Sequence, residues 1–348
     1  MSQNTYCSPI VYINGKVIDY LESYNFSTAM NNTLQTLKLT FTNPDLENLD
    51  LFGEKIELYH NYGSLDGVPL FRGYITQISA TDTKITANAQ DPRLYLSGQD
   101  GITVDTTDSK NYDGMTLTQF LYSFISTEVN ADSTVIGLSS LTEIDKPVYM
   151  TGIRERHQAP WNLITSTLAK AIDDSNFSEP LDYFIDINHR QTTSDILFRK
   201  KSLLADKASY IFSYFDGIVE LRYKERPPHN VGVARTKDDK TQRFIYGNTP
   251  SGKKAITLKG NFETPAEARK AAINKVLLDY NDTKEIDMTV SKCHGISLGT
   301  VVYINVPDDN IRGKYRVTGK TISFNNSKVT CKLKCNQKPI RVSDFINN

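Results

Sequence analysis

Phe52-Gly53-Glu54-Lys55-Ile56-Glu57-Leu58-Tyr59, near one end of the chain, and Leu298-Gly299-Thr300-Val301-Val302-Tyr303-Ile304, near the other, read alike. Each is an apolar residue, a glycine, two residues and then an alternating strand. Downstream, Lys84-Ile85-Thr86-Ala87 matches Lys328-Val329-Thr330-Cys331 at nearly the same distance from its glycine. Between them lie Gly73-Tyr74-Ile75-Thr76 and Gly313-Lys314-Tyr315-Arg316-Val317, each a glycine entering a strand. A one-residue slip turns every side chain of a strand to the other face, so matching turn positions favour matching registers. The spacing therefore predicts two copies of a related β-barrel. One chain with two equivalent barrels can imitate two subunits of a ring.

Working outward, Leu37, Leu39 and Phe41 alternate with Lys38, Thr40 and Thr42 within Leu34 to Asn43, one face for a core and one for solvent. Similar runs occupy Lys55 to Tyr59, Phe71 to Ser79 and Lys84 to Asn88, separated by turn-rich pieces such as Asn61-Tyr62-Gly63-Ser64. Toward the other end, Val302, Ile304 and Val306, then Tyr315 and Val317, then Val329, Cys331, Leu333 and Cys335 alternate likewise. The period changes between these regions. Leu117, Phe120, Leu121, Phe124 and Ile125 have the spacing of one helical face, as do Trp161, Ile164, Leu168 and Ile172 after Pro160. Tyr183, Ile185 and Ile187 alternate like a strand. Pro227-Pro228 marks a break, and Thr236 to Thr241, with Lys237, Asp238, Asp239 and Lys240, reads as an exposed loop or linker. A helix is predicted over Pro265 to Tyr280, with Thr264 and Glu267 at capping-box spacing. Its face of Ile273, Val276, Leu277 and Tyr280 is expected to pack on a neighbouring barrel. The fold class is mainly β with an α/β insertion: barrels at 1–100 and 227–348, the second with a preceding helix at 265–280, and a mixed middle region at 101–226.

A length of 348 residues allows two or three folding units. With 40 Lys plus Arg against 40 Asp plus Glu, the chain lacks the basic excess of a dedicated nucleic-acid binder, and zero net charge permits self-association. The 19 Tyr and 15 Phe against one Trp favour pleated surfaces. No run of about 18 apolar residues occurs, and Met1 to Ile10 is too polar for a signal peptide, so neither a membrane span nor secretion is expected. Cys7, Cys293, Cys331 and Cys335 are too sparse for a disulfide framework, which suits synthesis in a reducing cytoplasm.

Candidate chemistry is thin. On one extended strand Cys331 and Cys335 lie about 13 Å apart, too far to chelate one zinc ion, and fit better as buried thiols. Cys293-His294 could supply ligands only if another loop converged on it. His60, His157, His189, His229 and His294 are scattered, pair with no nucleophile motif and are expected at surfaces or interfaces. Asp173-Asp174 and Asp308-Asp309 read as turn or helix-end acids, and Trp161 as core packing. No phosphate-binding or dinucleotide loop is present. The expectation is no catalytic, cofactor or metal site.

Val68-Pro69-Leu70-Phe71-Arg72-Gly73-Tyr74-Ile75 with Ala89-Gln90-Asp91-Pro92-Arg93-Leu94 resembles the first barrel of phage baseplate hub proteins. Ser297-Leu298-Gly299-Thr300-Val301-Val302 with Gly313-Lys314-Tyr315-Arg316-Val317 resembles the last, and Thr264-Pro265-Ala266-Glu267-Ala268-Arg269 the alanine-rich helix before it. The resemblance is to the hubs of contractile tails, a family similar to tail-tube proteins and to parts of related injection machines, and covers about 1–100 and 227–348. It implies a non-enzymatic structural protein of the virion tail baseplate. It further implies a homotrimer whose six tube-like barrels connect the hexameric tail tube to the trimeric central spike. Tail tube, spike, tape measure and other baseplate proteins are the implied partners, with DNA free to pass through the lumen without sequence-specific contacts. No catalytic residue comes with the resemblance. A rival reading is a receptor- or glycan-binding tail-tip protein using exposed loop aromatics. A tail-tip cell-wall hydrolase is disfavoured by the missing acid and nucleophile motifs and by the lack of a long C-terminal extension.

Overall fold

A computed structural model describes residues 8–18, 20–30, 34–42, 51–60, 67–98, 104, 112, 114–131, 136–137, 150, 159–164, 183–200, 207–227, 229–236, 238, 240–245, 255–262, 264–281, 283–291, 293 and 295–337. The first β region contains β1 (Ile10–Ile13), β2 (Lys16–Ile18), β3 (Leu21–Ala29), β4 (Thr36–Phe41), β5 (Lys55–Tyr59), β6 (Phe71–Ala80) and β7 (Ile85–Gln90). They pair antiparallel in the order β3-β4-β7-β6-β5-β1-β2. The alternation does what the sequence promised. Leu37, Leu39 and Phe41 of β4 and Ile85, Ala87 and Ala89 of β7 are buried, while Lys38 faces out. Each large aliphatic or aromatic side chain so buried contributes about 1.5–3 kcal/mol.

The middle region has its own core. There α1 (Leu117–Phe124) buries Leu117, Phe120, Leu121 and Phe124, the face predicted by their spacing. A reciprocal capping box between Thr116 and Gln119 starts it. It packs with residues of the three-stranded sheet β8 (Ile136–Gly137), β10 (Ser194–Lys200) and β9 (Tyr183–His189), including Ile136, Ile185 and Ile196. A helical segment at 160–164 carries Trp161 and the buried Ile164, whereas Leu168 and Ile172 lie outside the described residues.

The second β region does not begin at 227. β11 (Tyr210–Phe212) and β12 (Ile218–Glu225) belong to it, joined by β16 (Lys284–Val290), β17 (Val301–Val306), β18 (Ile311–Asn325) and β19 (Lys328–Gln337). The order is β12-β16-β19-β18-β17-β11, position for position that of β3-β4-β7-β6-β5-β1. Pro227 follows the end of β12 without ending the region, because β16 pairs with β12 from beyond it.

Detail repeats too. Bulges fall between Leu21 and Ser23 and between Ile218 and Glu220, then again between Ile75 and Gln77 and between Val317 and Gly319. Gly53 N–H donates to Ile75 O at 2.9 Å, and Gly299 N–H to Val317 O at 2.8 Å. Both glycines have left-handed φ, 78° and 85°, which explains the residue type. Two differences appear. β11 runs parallel to β17, whereas β1 is antiparallel to β5. The strand matches read from sequence are also displaced by two residues: ladder and bulges equate Ile85 with Cys331, Ala89 with Cys335 and Gly73 with Tyr315. A two-residue shift preserves the buried face, so alternation alone could not reveal it.

Between β12 and β16 the chain forms a small α/β unit, β13 (Val231–Thr236), β14 (Thr241–Ile245) and β15 (Ala255–Phe262) with α2 (Pro265–Asn281). β13 and β14 form a hairpin closed by Thr236 N–H to Lys240 O at 3.0 Å, with Asp238 and Lys240 exposed, so of the two expectations for this stretch the exposed loop holds and the linker does not. Among the described residues α2 packs on this unit rather than on a barrel. Ala268 and Ala272 lie against Ala234 of β13, Val276 of the predicted face is buried and Ile273 half-buried, and the side chains of Leu277 and Tyr280 lie outside the described residues. Small side chains bring helix and sheet close: a Cβ at Gly232 would collide with the Ala272 backbone.

The two β regions fuse. β18 pairs antiparallel with β3 from Gly319 opposite Ala29 to Asn325 opposite Ser23, making one thirteen-stranded sheet. One core runs through both regions, from Phe41 and Phe71 to Ile322 and Cys335.

Candidate assembly surfaces

Asp91 and Pro92, in the motif after β7, show how the first β region grips the middle region. Asp91 is the N-cap of a short 3-10 helix, Pro92–Leu96, and accepts from Arg93 N–H at 2.9 Å. Its carboxylate also holds the Arg93 guanidinium in two bonds, Nε to Oδ1 at 2.9 Å and Nη2 to Oδ2 at 2.7 Å. Both side chains are out of water, and the guanidinium's remaining reach goes to Ile185 O of β9 at 2.8 Å. Such a pair survives burial because hydrogen bonds satisfy both ions.

Arg72 makes the second clamp. Its guanidinium donates to Arg190 O, Gln191 O and Thr193 O in the turn after β9, at 3.0, 2.7 and 2.5 Å, and to Glu57 at 2.6 Å. Burial raises the pKa of Glu57, but its bonds to Arg72 and Lys55 leave it below the ordinary carboxylate range. His189 completes the joint, with Nδ1 at 2.8 Å from Ser194 Oγ and Nε2 at 3.1 Å from Gln35 Oε1. Burial holds its imidazole neutral, with the pKa lowered to about 4.

His60 and His189 are buried rather than at a surface, His60 at 2.7 Å from the Tyr24 hydroxyl. His229 is partly exposed beside Asp279, at 3.0 Å. Trp161 is half-buried and lies beneath Arg93, 5.8 Å from ring centroid to guanidinium carbon, so it packs on a charge as well as on the core. Asp309 accepts from the Tyr214 hydroxyl at 2.8 Å. Cys293, Cys331 and Cys335 are buried, and burial raises the Cys335 pKa. Cys293 and Cys331 face each other in the core. Cys7, His157, His294 and Asp173-Asp174 lie outside the described residues. Sequence reading missed Arg72 and Arg93 as joints. The available signal was a cation beside residues of an apolar alternation, with Asp-Pro opening a helix.

Two sheet edges face outward. Among the described residues β12 pairs only with β16, and Gln77–Ala80 of β6 pair only with β7. Near them lie exposed apolar groups: Phe52 before β5, and Tyr214, Phe215 and Val219 around the β11–β12 turn. The polar face of the second β region carries both signs, for example Lys334 with Glu285 at 2.9 Å and Lys224 with Asp287 at 3.3 Å.

The architecture is that of solved phage tail proteins. A tail protein from Neisseria meningitidis MC58 is similar over 97% of this chain and 98% of its own, with a TM-score of 0.69 and 13% identity. The 43 kDa tail protein of prophage MuSo2 from Shewanella oneidensis gives 0.69 and 12%, over 95% and 98%. The E. coli c3393 protein, a type VI secretion component with structural similarity to the T4 tail proteins gp27 and gp5, gives 0.56 and 9%, over 95% and 80%. At these identities the likeness is one of fold. No family model and no curated protein matches the sequence.

Proposed function

We propose that the chain is a structural, non-catalytic component of a phage-type tail, a baseplate hub that forms a trimeric ring between a hexameric tail tube and a trimeric central spike. The observation that carries this is the internal duplication. Six strands recur in one order with the same bulges, so three chains would present six nearly equivalent units to a sixfold partner. Features that differ between the halves, such as the α/β unit of β13–β15 and α2, would serve a threefold neighbour. The fold shared with tail proteins supports the same reading. In it the polar face of the joined sheet lines the lumen, where mixed charge neither traps nor repels DNA strongly.

The test is the number and position of copies in assembled tails. Three per axial ring is the expected result. Six copies, or a position away from the tail axis, would overturn the proposal.

A further inference from the structure

The bare edges described above are the two halves of a seam the chain already makes once. Bulges and ladders equate β18 with β6 and β3 with β12, residue by residue: Thr321 with Ser79, Ser27 with Lys224, Met30 with Pro227 and Leu298 with Phe52. Inside the chain, β18 meets β3. Of their equivalents, β12 is the end strand of the fused sheet and β6 lies in the opposite half between β7 and β5; among the described residues neither pairs with the other.

Side chains record the missing half. Leu298, on the β18 side of the internal seam, packs with Met30 and is 5% exposed, whereas its counterpart Phe52 is 68% exposed. Phe26 of β3 is 3% exposed under the seam, whereas its counterpart Tyr223 of β12 is 37% exposed. The same positions are dry where a second β region covers them and wet where none does. An uncovered strand edge bordered by apolar groups is a template for another strand.

We infer that a second copy of this chain covers these edges: β12 of one copy adds antiparallel to Gln77–Ala80 of β6 in the next, with Ser79 opposite Lys224 and Phe52 seated against Pro227. The contact is head-to-tail: each copy offers one edge of each kind, and the series closes as a ring where the rotation per copy divides a full turn. It is shorter than the internal seam, because β6 ends at Ala80 whereas β18 continues to Asn325. It also lacks one bond. Met30 N–H donates to Thr318 O at 2.8 Å, and Pro227 has no N–H to donate to Thr76. A seam weaker than the internal one follows, formed when neighbours hold the copies together. The seam stands on the duplication; its closure at three copies rests on the proposed function.

Cysteine pairing tests it. In the internal seam the Ser27 and Thr321 hydroxyls lie 3.3 Å apart, so their counterparts come within disulfide reach. Ser79→Cys and Lys224→Cys are both at exposed positions. Under mild oxidation in assembled tails, and in concentrated purified chain, a mixture of the two single variants is expected to give covalent dimers only. The double variant should give a ladder ending at three chains, and neither single variant alone should cross-link. Failure of the mixture to form dimers, or self-linking of one variant alone, would overturn the seam. A ladder running past three would keep the seam and overturn the trimeric hub. Phe52→Asp is an independent check: the melting temperature of the isolated chain should stay unchanged while ring formation is lost. Ring formation undiminished in that variant would also overturn the seam.

Discussion

Asp91→Ala should unlock the first β region from the middle region. The carboxylate accepts from Arg93 Nε, Nη2 and backbone N–H, and from Gln35 N–H at 2.5 Å, with both side chains of the ion pair out of water. Removing one member of a buried pair costs about 3–5 kcal/mol, since the survivor stays charged and dry. Loss of the helix cap adds about 1 kcal/mol. A second carboxylate softens this: Asp186 also interacts electrostatically with Arg93, so the guanidinium keeps part of its counter-charge when Asp91 is lost. The net expectation is about 3 kcal/mol, or a fall in melting temperature of roughly 6–12 °C for a region of this size. Urea and thermal melts give the total, and hydrogen exchange at β9 shows where protection is lost. Asp91→Leu combined with Arg93→Leu should recover about 1–2 kcal/mol of the loss, because no charge is stranded, though Gln35 N–H and Ile185 O then lack these partners. A single-variant cost under about 1 kcal/mol, or a double variant no better than the single, would refute the argument from the buried pair.

Acid should loosen the same joint through His189. Its pKa is lowered from 6.5 to about 4 by burial, so the folded state binds the proton more weakly, and stability is complete above about 6.5 and declines as pH falls toward 4, by up to about 3 kcal/mol. His189→Gln should flatten that window of a pH-stability profile, and an unchanged slope would contradict the assignment. Glycine replacements should rank by what their Cβ meets. Gly73→Ala and Gly232→Ala meet the backbones of Gln90 and Ala272 and should cost about 3 kcal/mol or more, whereas Gly53→Ala meets open space and should cost about 1 kcal/mol from its left-handed φ alone. Denaturation midpoints that do not separate these variants would count against the close approaches. Cys335 stands where Ala89 stands in the first copy, so Cys335→Ala should be tolerated within about 1.5 kcal/mol, while Cys335→Ser, burying a hydroxyl in an apolar core, should cost about 1–3 kcal/mol. Equal melting of the two variants would show that the thiol is not in an apolar site.

The sequence by itself determined what is local and periodic. Alternation named the buried faces of β4, β7 and β19, helical spacing named that of α1, and the paired glycines at 53 and 299 located two turns whose φ only glycine adopts freely. It did not determine which strand lies beside which. A period of two survives a two-residue slip, so the echo was legible while its register was not. β11 and β12, separated from β16 by a whole α/β unit, carry no local mark of their partners. His60, His189, Arg72 and Arg93 read as polar residues, which are usually exposed. Tertiary structure alone decides that burial, because each becomes tolerable there only when distant partners meet its hydrogen bonds: Tyr24 for His60, Gln35 and Ser194 for His189, and main-chain carbonyls around β9 for the two arginines. The seam is likewise tertiary. Leu298 and Phe52 are equivalent in sequence, and only the meeting of β18 with β3 makes one of them core and leaves the other as surface.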